Sequence, residues 1–575
     1  MSHFPVRSIV LAAVAIAACG AMAMQPKPGS LPQLSPAQPA DFLGSCPDLL
    51  SLSLPGVTFT AATSVAAGTL TLAGQPVPAH CRLLGRAAEH TSPVDGKTYA
   101  IGFEMRLPLS WNGRFFHQGN GGIDGSVVPA TGSGFGGGPR TGALLQGFAV
   151  LSTDAGHRNS QGGPLFGLDP QARLDYGYQA VGTMTSIAKA IIAAAYGKGP
   201  DRSYFGGCSN GGRHTLVAAA RYADEYDGFL AGAPGYNLPL ASLANIWGAQ
   251  QYATVATGNP TTPPGLETAF TAAERRTVAA AVLARCDKLD GAVDGLVQDT
   301  QACQSKFNLN RDVPTCTGNR DGSCLTQAQK KVVNAVAQGA TTSNGERFYA
   351  SFPFDPGIGG NGLPFWEFTA PLLLNSTEVG LIFKVPPDLG ALTNSAGFTL
   401  GLDIDLALAQ MYATDATYTE SAMSFMTPPN VRDLSMLRIR GAKVIVYHGV
   451  SDPIFSIEDS IAWHRGIDHH SGGPADDFAR LYPIPGMNHC SGGPATDQAD
   501  FITALVQWVE QGQAPQAIVA SARGPGNPGG ANPEIPTEWA PDRTRPLCPY
   551  PSVARYRGTG DLEKASSWSC EGRGN

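Results

Sequence analysis

Five residues, Gly207-Cys208-Ser209-Asn210-Gly211, spell G-x-S-x-G. Small residues on both sides of a serine allow a sharp strand-to-helix turn that lifts the hydroxyl above a sheet. Residues 202–207 read as a short strand, and 210–222 as a helix. The same five residues also suit a glycine-rich turn without chemistry, so the flanking elements carry the assignment. In that setting Ser209 is a nucleophile, and the Asn210 amide, at the helix N-terminus, is an oxyanion donor.

A nucleophilic serine needs a base, and the base needs a carboxylate to orient it. Read in the order serine, acid, histidine, Asp452 follows the apolar run 442–448. The carboxyl end of a parallel strand is where such a group is presented. His489 comes next, in a glycine-rich loop (Gly486-Met487-Asn488-His489-Cys490) after the strand-like run 480–485. The other histidines fit less well. His448 lies on the strand and reads as structural. His464, His469 and His470 lie in a polar stretch and read as solvated. His117, His157 and His214 precede the acid. Cys208 precedes Ser209, and Cys490 follows His489. A hydrogen-bonded Ser–His pair would bring these cysteines to the roughly 4.4–6.8 Å Cα spacing of a disulfide. The alternatives are that the two pair elsewhere, or that Cys208 is a small buried hydrophobe.

These residues need a scaffold. The chain has 575 residues, 43% hydrophobic and 15% charged. That is enough apolar material for a large core and too little charge for a disordered chain. The formal charge of −7 and the lack of basic runs exclude nucleic acid as the main partner. From 41 to 235, strands (113–118, 147–153) alternate with helices (182–196), which predicts an α/β fold with a parallel sheet covered on both faces. From 236 to 428 the rhythm is lost among Gly, Asn, Thr, Pro and four cysteines, as in an insertion. It resumes over 429–575, with a strand at 442–448 and an amphipathic helix at 501–510. No repeat of 20–50 residues is present, which disfavours solenoids and propellers.

The first 23 residues read as an export signal: Arg7, an apolar stretch 8–18, and cleavage after Ala23. Residues 16–19 also suit a lipobox, which would leave a lipid anchor on Cys19. Both readings mean export to the periplasm or beyond. Residues 24–40, rich in proline, read as a flexible leader. No later stretch is long and apolar enough for a transmembrane segment. Of eleven cysteines, ten remain without Cys19, which suits five disulfides in an oxidising compartment. Short loops favour Cys286–Cys303, Cys316–Cys324 and Cys548–Cys570. Without a CxxC pair, a zinc ribbon is disfavoured. Asp287, Asp290 and Asp294, spaced by three and four residues among glycines, suit either a hard cation such as calcium or a solvated acidic loop.

Eight stretches, in order along the chain, resemble the tannase / feruloyl esterase family. They are WNGRFFHQGNGG (111–122), FGLDPQARLDYGY (166–178), SYFGGCSNGGR (203–213), YDGFLAGAPGYNLP (226–239), CDKLDGAVDGLV (286–297), YHGVSDPIFS (447–456), PGMNHCSGGP (485–494) and RTRPLCPYPSVARYRGTGD (543–561). The Cys-Ser and His-Cys dipeptides are specific to that family. The resemblance implies an α/β-hydrolase core with a lid inserted at 236–428. It implies Ser209, Asp452 and His489 as the triad, with oxyanion amides on Asn210 and Gly122. It implies five disulfides: Cys208–Cys490, Cys46–Cys81, Cys286–Cys303, Cys316–Cys324 and Cys548–Cys570. It also implies calcium on the Asp287, Asp290 and Asp294 side chains and the Ala292 and Leu296 carbonyls, bracing the lid.

Specificity must come from the lid and nearby loops. Trp366, Phe365, Phe368 and Phe455 are candidates to flank a flat aromatic acyl group, or else ordinary lid core. Family members that act on a terephthalate monoester hold its free carboxylate with a lid arginine. Here 348–431 contains no arginine, and Lys384 is its one basic residue. A lysine does not reproduce a bidentate clamp. Esters of phenolic (feruloyl, galloyl-type) acids are therefore the expected substrates. Terephthalate monoesters are the alternative, and a non-catalytic binding protein on the same scaffold is the reading from another class.

Overall fold

The computed structural model describes residues 31–133, 142–471 and 475–572. The expected export signal and the Cys19 alternative lie outside them. The core is one nine-stranded sheet. Its strands are β1 (Val57–Val65), β2 (His80–Thr91), β3 (Thr98–Pro108), β4 (Arg114–Gly119), β5 (Ala149–Thr153), β6 (Arg202–Cys208), β7 (Gly228–Gly232), β8 (Lys443–Gly449) and β9 (Ala479–Ile484). They lie in the order β9-β8-β7-β6-β4-β5-β3-β2-β1.

From β9 to β5 all pairings are parallel; β5–β3, β3–β2 and β2–β1 are antiparallel. The sheet is thus mixed, not wholly parallel as the sequence suggested. The reason is connection length. Only residues 92–97 join β2 to β3, too short for the crossover of a dozen or more residues that a parallel return requires.

Alternation along each strand builds two cores. Phe115, Phe205, Phe229 and Val444 face one side, against α1 (Ala180–Tyr196), α2 (Asn210–Arg221) and α6 (Ile457–His470). Phe116, Tyr204, Leu230 and Ile445 face the other, against Phe501, Leu505 and Trp508 of α7 (Phe501–Gln511). Between the neighbouring strands β7 and β8 the chain leaves the sheet for about two hundred residues. That excursion includes α3 (Leu238–Ala253), α4 (Ala272–Cys286) and α5 (Gln327–Gln338). It has two apolar clusters of its own, one of which also takes in Tyr176, Ile454 and Phe455 of the core.

The leader expected to be loose over 24–40 is tied down where it is described. Gln33 Nε2 donates to Val509 O at 2.9 Å, the Ala37 amide donates to Glu510 Oε2 at 3.0 Å, and Lys198 donates to Gln38 O. Proline content reports on backbone stiffness, not on whether a distant helix offers acceptors.

Glu510 joins the two ends of this arrangement. Its carboxylate takes Arg114 Nε and Nη2, each at 2.6 Å, and the Tyr204 hydroxyl at 2.7 Å. Burial acts to raise its pKa, but the Arg114 and Tyr204 hydrogen bonds outweigh it and hold the carboxyl below its ordinary 4.5. Removing it by Glu510→Ala leaves the half-buried Arg114 without its carboxylate. The expected loss is about 3 kcal/mol, read as a lower denaturant midpoint at pH 7. A lowered carboxyl pKa stabilises above 4.5, and that contribution drains as pH falls through the folded value. The gap between wild type and variant should therefore narrow in acid.

Candidate active site

Ser209 sits between β6 and α2 with φ 66° and ψ −127°, a conformation rare for a residue with a side chain. The turn fits because its neighbours are glycines. A Cβ on Gly207 would lie 2.3 Å from Gly119 O, and one on Gly211 would lie 2.4 Å from the same oxygen. The β6 end and the first turn of α2 therefore press directly on the end of β4. The bare motif hinted at this; the close approach is its cause.

The three expected side chains meet. His489 Nε2 lies 2.8 Å from Ser209 Oγ, and its Nδ1 lies 2.7 Å from Asp452 Oδ2. Asp452 is fully buried at the end of β8. Its Oδ1 accepts the Ile454 and Phe455 amides, each at 3.0 Å. Burial alone would raise its pKa. Electrostatic interaction with His489 and hydrogen bonds from His448 and His489 more than reverse that and hold the carboxyl well below 3.8. Asp452 thus stays ionised and orients the imidazole, with its Nδ1 as the donor.

Cys208 and Cys490 are bonded, with Cα atoms 6.1 Å apart. The other four disulfides are Cys46–Cys81, Cys286–Cys303, Cys316–Cys324 and Cys548–Cys570. The Gly121-Gly122 loop after β4 faces the serine: a Cβ at Gly121 would come 3.8 Å from Ser209 Cβ, and Gly122 has φ +64°. Asn210 opens α2, as expected.

Two aromatic rings stand edge-on to His489, Trp366 at 4.9 Å and Phe455 at 5.3 Å between ring centres. Phe365 and Phe368 do not join them. Phe365 is about half exposed and touches Trp366, while Phe368 is buried against Tyr252. Lys384 is buried, with Nζ 3.4 Å from Asp388 Oδ2.

His448 is structural but closer to the chemistry than its position suggested. Its Nε2 donates to Phe455 O at 2.8 Å and lies 3.4 Å from Asp452 Oδ2. His464, on α6 and expected in solvent, is buried against Trp463 of the same helix and against Tyr550. Sequence reasoning missed Asp355. Its Oδ1 accepts the Ser451 hydroxyl, the Gly357 amide and the Gly486 amide, pinning the loops that carry Asp452 and His489. Nothing local marks it, because Ser451 and Gly486, the partners that join those loops, lie about a hundred residues away or more.

In the acidic loop, Asp290 accepts the Ala292 and Gln298 amides, and Asp287 accepts those of Asp294 and Gly295. Asp294 accepts the Leu296 amide and pairs with Arg545. Burial, then the charges of Asp294 and Asp287, push Asp290 up to about 7. Among the described residues, no three His, Cys, Asp or Glu side chains converge as a metal cluster. The donor chemistry, buried hard oxygens with mutual repulsion, still fits a divalent cation.

A family model described as tannase and feruloyl esterase matches residues 81–571. The chain belongs to the tannase and feruloyl esterase family. It is 36% identical over 537 residues to the mono(2-hydroxyethyl) terephthalate hydrolase of Piscinibacter sakaiensis, covering 88% of this chain and 87% of that one. It is 30% identical over 484 residues to a probable feruloyl esterase B-1 of Aspergillus fumigatus, covering 81% and 82%. The crystal structure of feruloyl esterase B from Aspergillus oryzae superposes with a TM-score of 0.68 at 26% identity, over 91% of this chain and 98% of that one. This tannase-family protein is a carboxylic ester hydrolase with an α/β-hydrolase fold.

The bridge beside Ser209 closes a very long loop, with its cysteines 282 positions apart. The paired substitution Cys208→Ala with Cys490→Ala should lower stability by about 2–5 kcal/mol. It should also reduce kcat on an aryl ester about tenfold or more, since small displacements of reacting groups are costly. Denaturant unfolding and steady-state kinetics on the same preparation check both.

Proposed function

We propose that this esterase cleaves esters of phenolic aromatic acids through an acyl-enzyme on Ser209. The observation that carries this reading is the unbroken hydrogen-bonded series Ser209–His489–Asp452. His489 takes the serine proton as Oγ attacks the ester carbonyl. The Asn210 and Gly122 amides hold the oxyanion. The alcohol leaves with the proton from His489, and a water repeats the sequence to release the acid. Asp452, kept ionised, stabilises the imidazolium formed in each half.

The acyl group lies against Trp366 and Phe455, the rings beside His489. The absence of arginine over 348–431, and the engagement of Lys384 with Asp388, leave that part of the lid without a free cation for a second carboxylate. This favours a phenolic acyl group over a terephthalate monoester, although a terephthalate monoester hydrolase is among its relatives. Methyl ferulate and methyl gallate should each be turned over with kcat/KM at least about tenfold above that for mono(2-hydroxyethyl) terephthalate, given the cost of an unpaired buried carboxylate. The opposite order would overturn the substrate assignment. Activity surviving in Ser209→Ala would overturn the mechanism.

Calcium, in this reading, is held by the Asp287, Asp290 and Asp294 side chains and the Ala292 and Leu296 carbonyls. It would supply charge compensation in that loop and take no part in the acyl transfer. Chelation should lower the unfolding temperature by several degrees, restored by calcium, and Asp290→Asn should abolish the response. An unchanged transition would argue that Arg545 and Arg543 suffice as counter-charges. Export fits the five disulfides, since such bonds persist in oxidising compartments.

A further inference from the structure

Four buried side chains behind the serine close into one ring, and three of them share a face of α2. Asn210, Arg213 and His214 are at positions i, i+3 and i+4. Arg213 Nε donates to Asn210 Oδ1 at 2.6 Å, and Nη2 lies 3.2 Å from His214 Nδ1. The same Nη2 lies 3.4 Å from His214 Nε2, and Asn210 Nδ2 lies 3.2 Å from that nitrogen. That Nε2 lies 2.9 Å from Asp124 Oδ2, and the same oxygen accepts Asn210 Nδ2 at 2.8 Å. Asp124, the fourth member, is two residues beyond Gly122.

The ring is built into its surroundings. Arg213 also donates to the Tyr176 and Gly177 carbonyls at 2.8 and 2.7 Å. The Tyr176 hydroxyl lies 3.3 Å from Gly122 O, and His157 Nε2 lies 2.7 Å from Ile123 O. Arg213, His214, Asn210 and Asp124 are all buried. Burial and the neighbouring Arg213 charge keep His214 neutral.

We propose that the Asn210 side chain, held by Asp124 on one end and Arg213 on the other, is a clamp that sets the spacing of the two oxyanion amides. One amide belongs to Asn210 itself and the other to Gly122, on separate loops, and the Asn210–Asp124 bond is a direct side-chain link between those loops. This rests on the acyl-enzyme reading above. Asn210, Asp124 and His214 are positioning residues through their side chains. Arg213 fixes the orientation of the Asn210 amide.

The test separates the clamp from the fold. Asn210→Ala keeps the backbone donor and removes the clamp. It should lower kcat on methyl ferulate about 10–100-fold, below or near the effect of losing one oxyanion donor outright, with KM changed less than about twofold. Affinity for an aryl boronate, which forms a tetrahedral adduct on serine, should fall by the same factor as kcat/KM. Affinity for free ferulate should stay unchanged. Asp124→Asn should show the same split. Asn210→Gln, which can rebuild one end of the link, should recover part of the rate and serves where Asn210→Ala misfolds.

Wild-type kcat and boronate affinity in folded Asn210→Ala would overturn the clamp. So would equal losses in boronate and ferulate affinity, which would indicate general damage. Ser209→Ala run alongside identifies which idea fails. If it is inactive while Asn210→Ala is wild type, the clamp alone is wrong. If it is active, the acyl-enzyme reading is wrong as well.

Discussion

A serine held at positive φ, on a turn where three backbone segments touch, is the constraint around which this molecule is organised. Gly207, Gly211 and Gly119 let the end of β6, the start of α2 and the end of β4 come closer than any side chain would permit. That contact exposes Ser209 Oγ and at the same time brings the Gly121-Gly122 loop to its side. The histidine arrives from a loop far along the chain. A sulfur bridge one residue from each partner limits how far His489 can drift from Ser209. The bridge sets distance but not angle. Angle comes from Asp452, from Asp355 through Ser451 and Gly486, and from the rings of Trp366 and Phe455 packed on the imidazole.

The excursion between β7 and β8 therefore does more than cover the site. Asp355 and Trp366 both belong to it, and both act on groups presented by the core. The packing of the excursion and the alignment of His489 are mechanically joined in this arrangement. A change in the excursion that moves Trp366 also disturbs His489. This gives a physical reason why one of the two apolar clusters of the excursion takes in core residues such as Tyr176 and Phe455.

Much of this was readable from residue types. The turn around Ser209, the acid after an apolar strand and the histidine in a glycine loop follow from local rules, and the order of the three restricts the choice. The Cys-Ser and His-Cys neighbours pointed to the bridge, and short spacing pointed to three more disulfides. What escaped was set by long-range partners. The antiparallel strands β1 to β3 look like any other apolar runs until their connections are measured. His464 sits in a polar stretch but is buried by Trp463 and Tyr550. The leader's hydrogen bonds depend on acceptors nearly five hundred residues away. His214, set aside for preceding the acid, lies directly behind the nucleophile. Its i, i+4 relation to Asn210 was visible, but its link to Asp124 was not.

Mass analysis of the quenched reaction tests the central claim most directly. The enzyme is mixed with an activated ferulate ester, stopped in acid within the first turnover, digested without reduction and examined for bound acyl groups. The account predicts one feruloyl group on the Ser209 peptide, recovered still joined through sulfur to the peptide carrying His489, and no such adduct when His489 is replaced by alanine. An acyl group on another residue, or turnover with the two peptides recovered separately, would contradict it.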